Sequence, residues 1–172
     1  WSKGPAGTNE FDWHLYGYYP AFETVNLCES WEMPDASTIT FHIRKGVHFA
    51  LDPNNEASRL ANGREMTAED VKTNFDWRIK TPDGWRPVRS RELIKGLKKA
   101  EVIDRYTIRI TLERQFSSLM RVLTYAIRGI LPPEEVEKWG DQFAFHPCGT
   151  GPFKVVEIKP NEKVVLERFD GY

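Results

Sequence analysis

At 172 residues, with hydrophobic residues at 40%, charged residues at 28% and a formal net charge of -1, the chain has the make-up of an ordinary globular protein of one domain or one and a half. The interspersed charge excludes a nucleic-acid binder built on a basic arm, because neutralising phosphates takes several clustered cations, and no run of 18 apolar residues is present to form a transmembrane helix. The cysteines, Cys28 and Cys148, make neither a disulfide scaffold nor a zinc spacing; they read as small buried hydrophobes with free thiols, a long-range disulfide being the alternative that an oxidising compartment would permit.

Residues 1–22, rich in glycine, proline and aromatic side chains, hold no helical or strand period and read as loop with one turn of helix near Phe11 to Leu15. A short strand is expected from Thr24 to Trp31, stopped by Met33-Pro34-Asp35. Thr38 to Arg44 alternates strictly, with Ile39, Phe41 and Ile43 on one side, and predicts a half-buried strand that bends at Gly46. Residues 50–64, with Asp52-Pro53-Asn54-Asn55 and Asn62-Gly63, read as a polar loop. Thr67-x-x-Asp70 is a capping-box variant, and the helix it opens carries Ala68, Val71, Phe75 and Ile79 as its apolar stripe.

Pro82-Asp83-Gly84 ends that helix, and a short one is expected from about Pro87 to Leu93. Leu97 to Ile103 and Tyr106 to Glu113 read as a hairpin turning at Asp104-Arg105. A helix from Ser117 or Ser118 to about Tyr125 follows, then an extended piece from Arg128 to Leu131, and a helix opened by Pro133 and closed by Gly140. After the tight turn Gly149-Thr150-Gly151-Pro152, Phe153 to Ile158 and Lys163 to Phe169 form a last hairpin around Pro160-Asn161. Hairpins outnumber crossovers, so the fold class is α+β, or mixed α/β, with a largely antiparallel sheet and flanking helices. Ile39, Phe41, Ile43, Val71, Phe75, Ile108, Ile110, Phe153 and Val155 are the expected core.

The chemistry-bearing residues assemble into no catalytic pattern. His42 and His48 are close in sequence, but Gly46 breaks the strand parity between them and no third ligand is spaced to complete a metal site. Gly149-x-Gly151 lacks the remaining glycines or lysine of a phosphate loop and precedes a strand, so no helix N-terminus supplies donors. Glu134-Glu135 reads as helix-start electrostatics rather than an acid/base pair. Arg86, Arg89, Arg91, Lys95, Lys98 and Lys99 form the densest basic run and read as solvated surface. From the residues alone, neither a cofactor nor a metal is expected.

Five motifs then occur in order: Leu27-Cys28-Glu29-Ser30-Trp31, Arg44-Lys45-Gly46-Val47-His48-Phe49, Thr67-Ala68-Glu69-Asp70-Val71, Pro147-Cys148-Gly149-Thr150-Gly151-Pro152, and the closing Asp170-Gly171-Tyr172. Together they resemble the family 5 extracellular solute-binding proteins, the peptide- and nickel-binding receptors of ABC importers. Cys28 stands where that family has Ala, residues 50–64 are longer than its usual His-Asp-Gly link, and residues 1–22 match less clearly.

The resemblance implies a two-lobe periplasmic-binding-protein-like fold. Residues 1–23 would be an irregular N-terminal segment, and 24–172 a partial lobe I, consisting of its extra subdomain with the first and last connections. A chain that begins on Trp1 rather than Met and carries no signal peptide reads as a fragment. The implied function is capture of peptides or similar solutes for an ABC importer, outside the cytoplasm, periplasmic or tethered to the cell surface. The implied partners are a small-molecule or peptide ligand and an ABC permease, with the protein monomeric. A sensor or chaperone-like binding module of the same fold is the alternative, distinguished by whether permease and ATPase genes lie adjacent; an enzyme is disfavoured. The positions that in the family face the ligand cleft correspond to Trp85 and Arg128, an indole wall and a guanidinium clamp suited to a peptide-like or carboxylate-bearing ligand.

Overall fold

The computed structural model describes residues 26–80, 96–115 and 129–172. The expected helical turn near residues 11–15 and the expected helices at 87–93 and 117–125 lie outside them.

Period-two alternation builds the centre. β2 (Thr38–Ile43) and β4 (Thr107–Leu112) pair antiparallel with Ile39 opposite Ile110 and Phe41 opposite Ile108. Ile39, Ile108 and Ile110 are 0% exposed, with Ile43 and Leu112 buried beside them and Phe41 half-buried. β1 (Cys28–Asp35) and β3 (Leu97–Asp104) flank this pair, giving a four-stranded antiparallel sheet of order β1-β2-β4-β3.

Two strand ends differ from the sequence expectation. β1 runs through Met33-Pro34 instead of stopping there, because it is an edge strand whose pairing is already irregular between Glu32 and Asp35, where a proline lacking its N–H is tolerated. The chain turns at residues 36–37, where the Asp35 carboxylate accepts from the Ser37 N–H at 2.7 Å and the Ser37 hydroxyl at 2.8 Å. The β3–β4 turn falls on Arg105-Tyr106, one residue later than expected, since Asp104 pairs with Thr107 and its Oδ1 accepts from the Tyr106 N–H at 2.8 Å.

α2 (Ala68–Lys80) lies against β3 and β4 with Ala68, Val71 and Phe75 buried. Its start is half of a capping box. Asp70 Oδ2 accepts from the Thr67 N–H at 2.7 Å and from the Thr67 hydroxyl at 3.3 Å, so the side chain at the third helical position supplies the cap.

The stretch 50–64 is not a plain loop. It holds α1 (Glu56–Ala61), capped by Asn55, whose Oδ1 accepts from the Ser58 N–H, and ended by Asn62 in the left-handed region at φ 50°. Ala57 and Ala61 face the core. A single antiparallel bridge between His48 and Glu65 closes the neck of the insert and delivers Phe49 and Met66, both 0% exposed, into the core. α3 (Pro133–Trp139) packs beside α1 and runs into a 3-10 helix, Gly140–Phe145; Pro133 opens α3 and Gly140 ends it, as the sequence indicates.

β5 (Phe153–Lys159) and β6 (Lys163–Arg168) form their own two-stranded sheet rather than joining the first. This overturns part of the expected core. Phe153 is 59% exposed and Val155 only half-buried, because among the described residues no second layer covers the ribbon. The insert tethers the ribbon instead: Asn55 Nδ2 donates to Val155 O at 3.1 Å, and Lys154 Nζ lies 3.5 Å from Asp52 Oδ2. Both cysteines are free thiols, Cys28 half-buried and Cys148 buried.

Ile110→Ala is expected to cost about 2–5 kcal/mol, the range for truncating a packed aliphatic side chain, whereas Phe153→Ala, at 59% exposure, should stay within about 0.5 kcal/mol. Urea denaturation of both variants beside wild type checks the ordering.

Candidate functional site

The two residues singled out in the sequence, Trp85 and Arg128, lie outside the described residues. Their roots do not. α2 carries the chain to Lys80, and residues 129–131 return beside it. Asn74 on α2 clasps that return from both sides, its Nδ2 donating to Leu131 O at 2.7 Å and its Oδ1 accepting from the Leu131 N–H at 3.1 Å. Ile130 is buried at this contact. Asn74 and Lys80 are six residues apart on one helix, about 9 Å of axis. The segments that carry Trp85 and Arg128 thus leave the described structure from neighbouring places.

A second candidate is an open cleft of about 390 Å³, of the size of small-ligand pockets, where residues 26–27, 44–48 and 171–172 meet. Gly46, at φ 72°, turns the chain so that Arg44, Lys45 and His48 line it together with Thr150 and Tyr172. Arg44 is fixed by its Nε donating to Asn26 O at 2.9 Å. The turn itself is fixed by Glu65, whose Oε1 accepts from the Gly46 N–H at 2.7 Å while Oε2 accepts from the Tyr106 hydroxyl at 2.9 Å and Arg105 Nη2 at 3.1 Å. These donors, the Gly46 amide foremost, hold the Glu65 carboxyl below its ordinary range. The described wall therefore carries Arg44 and Lys45, with the Glu65 carboxylate engaged behind the turn. Such a wall suits an anionic group.

The histidines take separate partners. His42 Nε2 lies 3.4 Å from Glu32 Oε1 and His42 Nδ1 lies 3.4 Å from Thr107 Oγ1, while His48 Nδ1 lies 2.8 Å from Gly63 O. Among the described residues no group of three or more His, Cys, Asp or Glu gathers as a metal site.

A dense set of charged contacts gathers around Arg64. Arg64 grips Asp70 through Nη1 at 2.9 Å and Nη2 at 2.6 Å, and Glu134 through Nε at 2.8 Å and Nη2 at 2.9 Å, while Nη1 also donates to Glu65 O at 3.3 Å. All five guanidinium N–H groups are used. Arg64 is accordingly raised above its ordinary range, by its bonds to Glu134 and then Asp70, and Arg64 in turn lowers Glu134. The sequence reading of Glu134-Glu135 as one helix-start pair separates here, because consecutive helical residues point about 100° apart. Glu134 faces Arg64, whereas Glu135 is 0% exposed, receives one bond, from the Cys148 N–H at 3.3 Å, and is pushed up to about 8 by burial. No feature of the sequence distinguishes which glutamate turns inward.

The family model described as bacterial extracellular solute-binding proteins, family 5 Middle, matches residues 24–172. The glutathione-binding protein GsiB of Salmonella paratyphi A is 32% identical over 138 residues, which is 80% of this chain and 24% of that protein. The chain thus spans about a quarter of the length of the curated relatives it matches. Among solved structures, the binding protein MoaA from A. tumefacien R10, in complex with mannopinic acid, is similar with a TM-score of 0.69 at 27% identity, covering 91% of this chain and 29% of that one. AgaA from A. tumefacien R10, in complex with agropinic acid, gives a TM-score of 0.69 at 29% identity over 85% of this chain and 27% of that one.

Removing Arg64 leaves Asp70, whose side chain is 3% exposed, as a buried charge without its cation. Arg64→Ala is expected to destabilise the fold by about 2 kcal/mol, less than the roughly 3–5 kcal/mol of a fully buried pair because the guanidinium is partly solvated. Asp70→Asn in the same chain should recover part of that loss. A double-mutant cycle by denaturant melting checks it, and additive losses would show that the two residues do not act as a pair.

Proposed function

Since the chain belongs to the bacterial extracellular solute-binding proteins, family 5, we propose that it forms part of a receptor that captures a peptide or similar small solute and delivers it to an ABC permease. The observation that carries this reading is the family match along residues 24–172. On this reading residues 24–172 are a part of lobe I, led in by residues 1–23, and a second lobe supplies the remaining ligand contacts. The receptor works outside the cytoplasm, periplasmic or tethered to the cell surface, as a monomer, and binds its solute without turning it over.

The ligand class follows from two supports. The relatives named above bind glutathione, mannopinic acid and agropinic acid, a tripeptide and two compounds that are acids by name. This chain has Arg128 for bidentate pairing with a carboxylate and Trp85 for stacking, on segments rooted side by side at Asn74 and Lys80. A carboxylate-bearing peptide or amino-acid derivative is the solute that fits. Closure of two lobes would then exclude water and strengthen the ion pair, so a lone part of lobe I should bind weakly.

Isothermal titration of the full-length receptor against glutathione and a panel of short peptides tests this. Trp85→Ala and Arg128→Ala should each weaken binding about tenfold or more, the equivalent of about 1.4 kcal/mol. Unchanged affinity in both variants would remove these residues from the site, and no heat with any panel member would count against the solute class.

A further inference from the structure

Among the described residues, Glu135 is a buried titratable group that no cation balances. It is 0% exposed, and its Oε1 is the buried side-chain oxygen that lacks any hydrogen-bond partner among the described residues. Its Oε2 receives a single long bond, from the Cys148 N–H at 3.3 Å. The cations nearby are committed elsewhere. Arg64 spends all its donors on Asp70, Glu134 and the Glu65 carbonyl. Lys138, on the same helix, is paired with Glu56 of α1, and Arg59 of α1 donates to Pro53 O. The other titratable groups around α3 are Asp70 of α2, Glu134, His146, which stacks on Trp139, and the Cys148 thiol.

An ionised Glu135 would therefore be a buried anion held by one amide. As a neutral acid it keeps the Cys148 amide bond without the charge. Burial raises its carboxyl to about 8, the Cys148 N–H working in the opposite direction.

The bond it makes sits at a joint. Cys148 opens the turn that leads into β5, its thiol donates to Ala50 O at 3.6 Å, and the next residue, Gly149, accepts at 2.9 Å from the Ala50 N–H. Ser58 of α1 donates to the same Ala50 carbonyl. The insert, α3 and the approach to the β5–β6 ribbon thus converge within one buried polar seam, and Glu135 is the member that titrates toward neutrality.

We propose that Glu135 is a proton-operated latch: as the neutral acid it stays buried and holds the turn of residues 147–152 to α3 by accepting from the Cys148 N–H, and when its proton passes to solvent base the buried charge, which one amide does not offset, draws the carboxylate toward water and releases the turn and the ribbon behind it. This reading is independent of which solute the receptor takes. The sign is fixed by linkage. The native chain keeps a proton that the unfolded chain gives up in the ordinary glutamate range, so between that range and about 8 folding stability falls as pH rises, and above it this contribution levels off.

Infrared difference spectra of the whole chain, taken as pH is stepped from 6 to 9, read the proton directly. A neutral-carboxyl carbonyl band should be present at pH 6 and vanish with a midpoint near 8. Glu135→Gln, which keeps the shape and cannot ionise, should abolish that band, and its thermal midpoint should rise relative to wild type as pH increases. At pH 9, maleimide labelling resolved by mass spectrometry should modify Cys148 faster in wild type than in Glu135→Gln. The carboxylate's charge alone would give the reverse order, since it disfavours the thiolate. No neutral-carboxyl band at pH 6 would overturn the proposal, and this arm needs only wild type should the variant fail to fold. A titrating band with Cys148 labelled no faster in wild type would overturn the release step.

Discussion

The guanidinium of Arg64 is the joint on which the helical side of this structure depends. It enters from the far strand of the bridge that closes the insert, between His48 and Glu65, and ties the first turn of α2 to the first turn of α3. Two helix N-termini, each favouring negative charge, are thereby brought close without mutual repulsion, since one cation serves both carboxylates. A lysine could not do this, having neither the fork nor the number of donors. The same use of every donor leaves Glu135 without a cation one residue further along α3.

With that joint in place the molecule divides into a well-packed sheet unit and a lightly held ribbon. The four-stranded sheet buries Ile39, Ile43, Ile108 and Ile110, α2 lies against β3 and β4, and the order β1-β2-β4-β3 makes β2 and β4 the interior strands. The two-stranded ribbon is attached through polar contacts with the insert: an amide to a carbonyl, a lysine to Asp52, and the seam at Cys148. Two-stranded ribbons have little stability of their own, so the angle between ribbon and sheet rests on hydrogen bonds and charge more than on apolar burial. Lys80 ends α2, and Asn74 holds Leu131 against the same helix, so both points belong to the sheet unit.

Much of the sheet was legible in the sequence because alternation carries its own period. Ile39 to Ile43 and Ile108 to Leu112 announce which side is buried, and their register follows. What alternation cannot report is whether a hairpin joins an existing sheet. Phe153 and Val155 have the same pattern as Ile39 and Phe41, yet their strand pairs only with β6, so the inference from pattern to core failed there. α1 was missed for another reason. It is six residues long, and it is held by the Asn55 cap and by Ala57 and Ala61 against the core, too short for a helical period to show. The family was readable from several motifs in order. The inward turn of Glu135 was not, since adjacent glutamates look alike until the helix is docked.

Cys148 carries one further consequence. Burial pushes its thiol up to about 12. Reaction with oxidants or with another disulfide runs through the thiolate, so the burial that disfavours the thiolate also slows that reaction. A free thiol of that kind survives an oxidising milieu by staying a poor nucleophile. Stray disulfide exchange at this seam is suppressed by acid–base chemistry as well as by shielding, and the chain keeps its sulfur as a packing atom.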